Sequence, residues 1–150
     1  IGRTLPIGGF CYANGCDADA AVIKMSAIDF PTNYVLASNL RLIDHIDTIA
    51  EQLIGYLACR AGAASNNYLC GETTQRDFTA PVGGVNIDHL WRMSRSVIKG
   101  DSGGPVMHDT HAQGIISAKD GTTTLYSTID WFRITIGYVP CISSYANPCN

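Results

Sequence analysis

The sequence predicts a mostly β fold, an antiparallel barrel or sandwich. Short runs rich in β-branched residues recur along the chain, and clusters of glycine and asparagine separate them. Only 15% of the residues are charged while 46% are hydrophobic, which is typical of a packed globular protein with little surface charge. At 150 residues the chain is long enough for one domain with its own core.

Three strands follow directly from local patterns of β-branched residues bounded by turn residues. They are AAVIKM (20–25), GIIS (114–117) and TTTLYSTI (122–129). The segments between them, among them YANG, AGAASNN, APVGGVN and KDG, carry the glycine and asparagine that tight turns require.

A short closing helix is predicted at residues 130–139, where Trp131, Ile134 and Tyr138 fall on one helical face. The stretch 39–57 is ambiguous. Its apolar residues recur at near-helical spacing among good helix formers, so the local pattern alone favours a helix there.

Charge and hydropathy exclude several classes of partner. The net charge is −3 with scattered basic residues, so there is no basic footprint for nucleic acid. The single cationic cluster, Arg92, Arg95 and Lys99, leads into a glycine-rich run. No apolar run approaches membrane-spanning length, and we expect neither nucleic acid, membrane nor cofactor as a partner.

The six cysteines form three couples that are close in sequence. Six cysteines allow fifteen pairings, of which the local one is the simplest. No C-x-x-C is present, so zinc and thioredoxin-type redox sites are poor interpretations. An oxidising, extracellular compartment follows if the local disulfides form. They would be Cys11–Cys16, Cys59–Cys70 and Cys141–Cys149.

The run KGDSGGPVM (99–107) places Ser102 between an aspartate and two glycines. A serine hydroxyl becomes a nucleophile only with a base, usually histidine, and with backbone N–H groups that bind the developing oxyanion. The glycines allow such a turn, with the N–H groups of Gly100 and Ser102 as the expected oxyanion donors. The formal match to the G-x-S-x-G elbow of α/β-hydrolases fails, because Pro105, a polar turn and a strand follow instead of a helix.

The run GDSGGPV resembles the nucleophile motif of chymotrypsin-like serine proteases and matches it without change. The likeness is closest to the bacterial streptogrisin and alpha-lytic protease branch. CRAGAASNNYLCGE (59–72) is similar to its disulfide loop and DAAVIK (19–24) to its acid-bearing strand. GIIS with GTTTLY (121–126) resembles the pocket walls, and TIDWFRITIGYV (128–139) the closing strand and helix.

The resemblance implies roles for particular residues. Ser102 would be the nucleophile, and Asp19 the carboxylate that holds the catalytic histidine. Asp17 is the rival acid, but it fits the Asp-x-Ala-x-Ile pattern less well. In this branch a basic residue after the first loop cysteine pairs with the aspartate before the nucleophile. Arg60 and Asp101 occupy those places, and a bidentate pair between them would hold the oxyanion turn.

The resemblance also implies a substrate site. Ser117, Ala118 and Lys119 would pair with the backbone of the substrate as an added strand. Ser96 and Thr124 would line the pocket for the side chain before the cleaved bond. Because neither carries a charge, that pocket should favour an apolar or neutral side chain.

The catalytic histidine is where the chain departs from the family. The family order is His, Asp, Ser, and its histidine lies in a Thr-Ala-x-His-Cys type segment that is missing here. All four histidines follow Asp19 in unrelated contexts; His45 and His89 are expected on the surface, and His108 and His111 in a polar turn between strands rather than at a metal. The general base is therefore expected from residues not present here.

Taken together, the expected architecture is a second chymotrypsin-like barrel at residues 50–150, preceded by a remnant of the first barrel and the connection at 1–49. The family makes AEQLIGYLACRAG (50–62) a strand, against its helical spacing, and we expect strands over the second half of 39–57. The expected function is that of a secreted serine endopeptidase without a cofactor. Its partners would be a peptide or protein substrate and, if the chain is one product of a clipped protease, an N-terminal companion chain carrying the histidine. An incomplete fragment, or an inactive protease-like binding or structural module, are the alternatives.

Overall fold

A computed structural model describes residues 39–136 without a break and five short segments before them. Those segments are Arg3–Thr4, Cys11–Tyr12, Gly15–Cys16, Ile23–Lys24 and Tyr34–Leu36. Asp17, Asp19 and the cysteines of the expected Cys141–Cys149 disulfide lie outside the described residues. For Cys11 and Cys16 only the backbone is described; their Cα positions are partners across a hairpin.

The described residues form thirteen strands and one helix. The strands are β1 (Arg3–Thr4), β2 (Cys11–Tyr12), β3 (Gly15–Cys16), β4 (Ile23–Lys24), β5 (Tyr34–Leu36), β6 (Leu40–Leu42), β7 (His45–Ile46), β8 (Leu57–Gly62), β9 (Asn67–Val82), β10 (Val85–Met93), β11 (Pro105–His108), β12 (His111–Asp120) and β13 (Thr123–Thr128). The helix α1 spans Ile129–Ile136.

Six strands, β8 to β13, close into a ring. Each pairs antiparallel with its neighbours in the order β13–β12–β11–β8–β9–β10, and β10 pairs back with β13. Each of the six strands is thus paired on both sides over at least part of its length. The prediction of a mostly β, antiparallel, chymotrypsin-like barrel with a short C-terminal helix is confirmed.

The interior of the ring is a close-packed apolar cluster built from all of its strands except β9. Trp91 and Tyr126 are the largest members, and both are almost fully buried. The remaining members of this cluster are Ala58, Met93, Val97, Val106 and Ile116. Gly114 lets β12 lie directly against the Tyr126 ring, because a Cβ there would approach Cδ2 to 2.5 Å. The barrel therefore has a filled core rather than a central cavity.

The β8–β9 hairpin is closed by the predicted Cys59–Cys70 disulfide, which is confirmed. The two cysteines are direct partners in the antiparallel register, next to Arg60↔Leu69 and Ala61↔Tyr68. The loop at the tip of this hairpin is thereby fixed close to the residues that follow β10.

The helix suggested by the spacing of residues 39–57 is wrong. The chain there runs through β6 and β7 into turns, and β8 begins at Leu57, so only the end of the expected 50–62 strand is extended. The buried residues of this stretch face neighbouring strands instead of forming one helical stripe. Ile43 packs with Cys59 and Met107, and the N–H of Asp47 donates to the carbonyl of Ala112. Tertiary contacts override the local helix propensity.

Helix α1 begins at Ile129, one residue before the predicted start. Asp130 is buried in its first turn, where its carboxylate accepts hydrogen bonds from the N–H of Ile49 and from Arg133. Trp131 is half-buried whereas Ile134 is 51% exposed, so the expected apolar face is only partly covered by described residues. In the described part of the chain, no helix has both the length and the apolar character needed to cross a membrane.

Candidate active site

The segment between β10 and β11 forms two successive tight turns around Ser102. The N–H of Asp101 donates to the carbonyl of Ile98 at 3.1 Å, and the N–H of Gly104 donates to the carbonyl of Asp101 at 3.0 Å. Gly100 and Gly103 have φ values of +97° and +84°, which residues with a side chain rarely adopt. The two glycines therefore allow the chain to reverse twice within a few residues.

The turn is anchored to the barrel wall. The N–H of Gly103 donates to the carbonyl of Ile116 at 2.8 Å, and the N–H of Ile116 donates to the carbonyl of Gly104 at the same distance. Ile116 is part of the core cluster. The position of Ser102 is consequently set by β12 as well as by its own turn.

Gly104 packs so closely against β8 that a side chain cannot be accommodated. A Cβ there would overlap the carbonyl oxygen of Ala61 and lie 2.9 Å from that of Asp101. We expect Gly104→Ala to lower the free energy of unfolding by about 2 kcal/mol, because both obstacles are backbone atoms. Denaturant unfolding measures the change. Gly83→Asn is the control, since Gly83 has open space and a φ of +60° that asparagine tolerates; an equal loss in both variants would contradict the packing argument.

Arg60 and Asp101 lie together beneath the turn, both almost completely buried. Nη1 of Arg60 lies 3.3 Å from Oδ2 of Asp101. The expected bidentate geometry is wrong, because Nη2 donates instead to the carbonyl of Ser96. Nη1 also donates to Oγ of Ser65 at 3.1 Å and to Oδ1 of Asn67 at 3.0 Å. The guanidinium of Arg60 thus links the tip of the disulfide hairpin, the backbone at Ser96 and the turn that contains Asp101.

The carboxylate of Asp101 accepts backbone hydrogen bonds from two directions. Oδ1 accepts from the N–H of Ser65 at 2.8 Å, and Oδ2 accepts from the N–H of Ile98 at 3.1 Å. Burial raises the pKa of Asp101, but the hydrogen bonds from Ser65 and Ile98 and the charge of Arg60 outweigh it, so the pKa is lowered overall. Asp101 is therefore ionised at neutral pH, and its charge holds the turn.

Ser102 itself is exposed, and its hydroxyl donates to the carbonyl of Ser117 at 3.3 Å. The structure thus brings Ser102 to the strand where the substrate edge was expected. In the described segments, neither the N–H of Gly100 nor that of Ser102 donates to another residue. These are the two groups that the sequence nominated as oxyanion donors.

The part of β12 that follows Ser117, whose carbonyl accepts from Ser102, is paired on one side. Ala118 and Lys119 pair with Leu125 and Thr124 of β13. Strand β11 pairs with β12 only as far as Ile115, and the turn takes over at Ile116. Within the described part of the chain, no strand covers the other edge of 117–119. That edge can accept an extended peptide by strand addition.

The expected pocket residues are neutral, and Thr124 contacts the residue that precedes Ser96. Thr124 is fully buried, and its hydroxyl donates to the carbonyl of Arg95. Ser96 follows Arg95 in the chain, is half-buried, and its hydroxyl donates to the carbonyl of Val97 at 3.2 Å. Both hydroxyl groups are thus engaged by neighbouring carbonyls, so the two side chains offer little free polar character to a ligand.

None of the four histidines, all of which are described, forms a hydrogen bond with Ser102. His111 bonds to Asp47 and lies beside His45. His89 bonds to Asp77, and His108 lies 3.7 Å from Asp109. Residue 19, the expected partner of the catalytic histidine, falls outside the described segments. The turn and its supports are therefore assembled without a histidine base at the serine.

Ser65 and Asn67 hold the buried Arg60–Asp101 pair in place, and the sequence did not predict this role. Both lie at the tip of the disulfide hairpin, where Ser65 binds Arg60 and Asp101 and Asn67 binds Arg60. Their only signal is the polar run ASNN between two cysteines, and such residues are common in any turn.

Comparison with known proteins agrees with this geometry. A family model described as Trypsin matches residues 59–135, just over half of the chain. Among solved structures, the chain resembles the Nocardiopsis protease NAPase with a TM-score of 0.70 and 26% identity; the match covers 81% of this chain and 66% of that one. Thermobifida fusca protease A gives 0.71 and 23%, with 81% and 67% covered. An alpha-lytic protease homologue, N4, gives 0.66 and 17%, with 81% and 66% covered. No curated protein matches by sequence.

Proposed function

Because this chain belongs to the trypsin family, we propose that it is the nucleophile-bearing part of a secreted serine endopeptidase that cuts peptide bonds through an acyl-enzyme. The observation that carries the proposal is the exposed Ser102 on a turn locked by the buried Arg60–Asp101 pair. A glycine-rich turn without a catalytic role does not need a buried charge pair beneath it, since such a pair is costly to desolvate.

The proposed reaction has two halves. Oγ of Ser102 attacks the carbonyl carbon of the scissile bond while a histidine takes its proton, and the N–H groups of Gly100 and Ser102 bind the oxyanion. The C–N bond then breaks as the histidine returns the proton to the leaving amine. Water next attacks the acyl-enzyme with the same histidine as base, which releases the acid and restores Ser102. Asp19 is the proposed carboxylate that orients the histidine.

The histidine is proposed to come from outside these 150 residues, either earlier in the same polypeptide or from a companion chain. The supporting observation is that His45, His89, His108 and His111 are each engaged away from Ser102. The chain spans about 66% of the length of the Nocardiopsis protease. In this proposal residues 1–49 complete part of a first barrel, and 50–150 form the second.

The substrate is proposed to bind as an extended strand along Ser117–Lys119, with a neutral or apolar side chain before the cleaved bond. The edge of β12 that no described strand covers supports this placement. The pocket residues Ser96 and Thr124 are uncharged and have their hydroxyl groups turned to backbone carbonyls. A charged substrate side chain would find no counter-charge in those two residues. The disulfide in the hairpin supports secretion into an oxidising compartment.

Labelling with a fluorophosphonate probe tests the proposal. The native protein as secreted, with any companion chain, is expected to carry the adduct on Ser102, because only an assembled site activates a serine. Peptide mapping locates the adduct, and heat denaturation before labelling should abolish it. Material that shows native circular dichroism but takes no label would contradict the enzyme and favour an inactive protease-like module whose surface serves in binding.

A further inference from the structure

A second cluster of reactive side chains lies on the strand pair β7–β12, outside the Ser102 site. These two strands run parallel, with His111 opposite His45 and Ala112 opposite Ile46. The hydrogen bond from the N–H of Asp47 to the carbonyl of Ala112, 2.9 Å long, extends the pairing by one residue. Because side chains alternate along a strand, His45 and Asp47 share a face with His111 and Gln113.

The three potential ligands on this face converge. Each of His45, Asp47 and His111 offers one ligand atom, and these atoms lie within 4.8 Å of one another. Nδ1 of His111 is 2.8 Å from Oδ1 of Asp47, and Nε2 of His45 is 4.0 Å from the same oxygen. Tetrahedral zinc with bonds of about 2.0–2.1 Å places its ligand atoms roughly 3.3 Å apart. Small rotations of two partly exposed imidazoles reach that spacing.

The carboxylate between the imidazoles is buried and held in place. Asp47 is only 5% exposed. Its Oδ2 accepts from Nε2 of Gln113 at 3.1 Å, which leaves Oδ1 directed at the histidines. Gln52 adds hydrogen bonds to the carbonyls of Asp47 and Gln113. Outer groups that fix the orientation of a ligand are a regular feature of metal sites.

A second carboxylate stands at the open side of the cluster. Oε2 of Glu51 lies 3.5 Å from Nε2 of His45, and its side chain is half exposed. It now accepts from the N–H and the hydroxyl of Thr48. Glu51 or a water molecule can occupy the fourth coordination position of a bound metal ion. Two imidazoles with one or two carboxylates are a donor set suited to zinc, whereas calcium and magnesium favour all-oxygen sites.

We propose that His45, Asp47 and His111 bind a divalent transition-metal ion, zinc in the first instance, which joins β7 to β12. The cluster holds the carboxylate of Asp47, and that of Glu51 lies beside it, so a dication would balance these two negative charges. The site lies in a part of the molecule that the proposed peptide hydrolysis does not use, so the inference does not depend on that function.

Calorimetric titration of the full chain with zinc chloride at neutral pH is the test. We expect one ion per chain, and a weakening of at least roughly tenfold in His45→Gln and in His111→Gln. His45 is 45% exposed as a side chain, so His45→Gln is expected to fold. Bound cobalt should in addition give the visible absorption bands of a low-coordinate ion, and these bands should be absent from His45→Gln.

His89→Asn provides the matched control. His89 also pairs with one carboxylate, Nδ1 to Oδ1 of Asp77 at 2.6 Å, but among the described residues it has no second imidazole beside it. Asparagine suits its φ of +56°. The control should bind zinc as the parent chain does. The proposal is overturned if the parent chain binds no zinc, if His45→Gln binds equally well, or if binding is lost in His89→Asn alone. In each case the cluster is a hydrogen-bonded His–Asp group only.

Discussion

Replacing Ser102 with alanine in the proposed protease is expected to lower kcat for peptide hydrolysis by roughly 10⁶-fold. The substitution removes only the hydroxyl group, and in the proposed reaction its oxygen, Oγ, forms the covalent bond to the substrate. The proposed binding of substrate along 117–119 does not use the hydroxyl group, so KM should change little. Steady-state hydrolysis of a peptide amide with a neutral residue before the cleaved bond measures both constants.

The fold is expected to tolerate Ser102→Ala. Ser102 is exposed and donates one hydrogen bond, to the carbonyl of Ser117. The free energy of unfolding should therefore stay within about 0.5 kcal/mol of the parent value. A folded variant that retains most of its hydrolytic activity would remove Ser102 from the mechanism, whatever the family of the chain.

Asp101→Asn is expected to lower the free energy of unfolding by about 3–5 kcal/mol, the cost of breaking a buried ion pair from one side. The guanidinium of Arg60 would stay buried, with only neutral acceptors left. The amide of asparagine would also place its NH₂ group against one of the donors that Asp101 accepts from, namely Arg60, Ser65 or Ile98. Guanidinium chloride unfolding of the two proteins measures the difference.

Asp120→Asn is the matched control for Asp101→Asn. Asp120 also pairs with an arginine, Arg92 at 2.6 Å, but its side chain is 52% exposed. The same substitution there should cost less than about 1 kcal/mol. Similar losses in the two variants would mean that the buried pair does not stabilise the turn.

The stability of the parent chain should also depend on Asp101 at acid pH. The pKa of Asp101 is lowered in the folded chain, and its unfolded value is about 3.9. Its contribution is therefore complete above the unfolded pKa and is lost as the pH falls through the folded pKa. Unfolding curves from neutral pH to about pH 3 should show this loss in the parent chain and a smaller loss in Asp101→Asn.

Much of the barrel could be predicted from local sequence because its signals are local. The β-branched run at 114–117 lies within β12, most of the run at 122–129 lies in β13, and the described part of the expected 130–139 helix lies within α1. The helix suggested by residues 39–57 is wrong because their near-helical spacing of apolar residues reflects contacts with distant strands. Ile43, Asp47 and Gln52 are buried against strands that come much later in the chain, and no local pattern encodes those partners.

In the candidate site, too, local sequence predicts the turn but not the contacts between residues that are far apart in the chain. The glycines at 100 and 103 mark a turn in any sequence, and Ser102 stands out between them. Arg60 and Asp101 are 41 positions apart, and only resemblance to a family suggested the pair. The cluster of His45, Asp47 and His111 had no such guide. Its pattern, His-x-Asp and His-x-Gln, is too common to signal a site until parallel pairing brings the segments together.

The groups that bind the carboxylate of Asp101 affect the order in which the chain folds. Ile98 apart, every group that binds its carboxylate lies at least 36 positions away along the chain. Such contacts form only after a long loop has closed, which is entropically slow. The GDSGG segment cannot keep this shape until the disulfide hairpin has docked onto it. We therefore expect the turn around Ser102 to form among the last steps of folding, when the polypeptide is already compact.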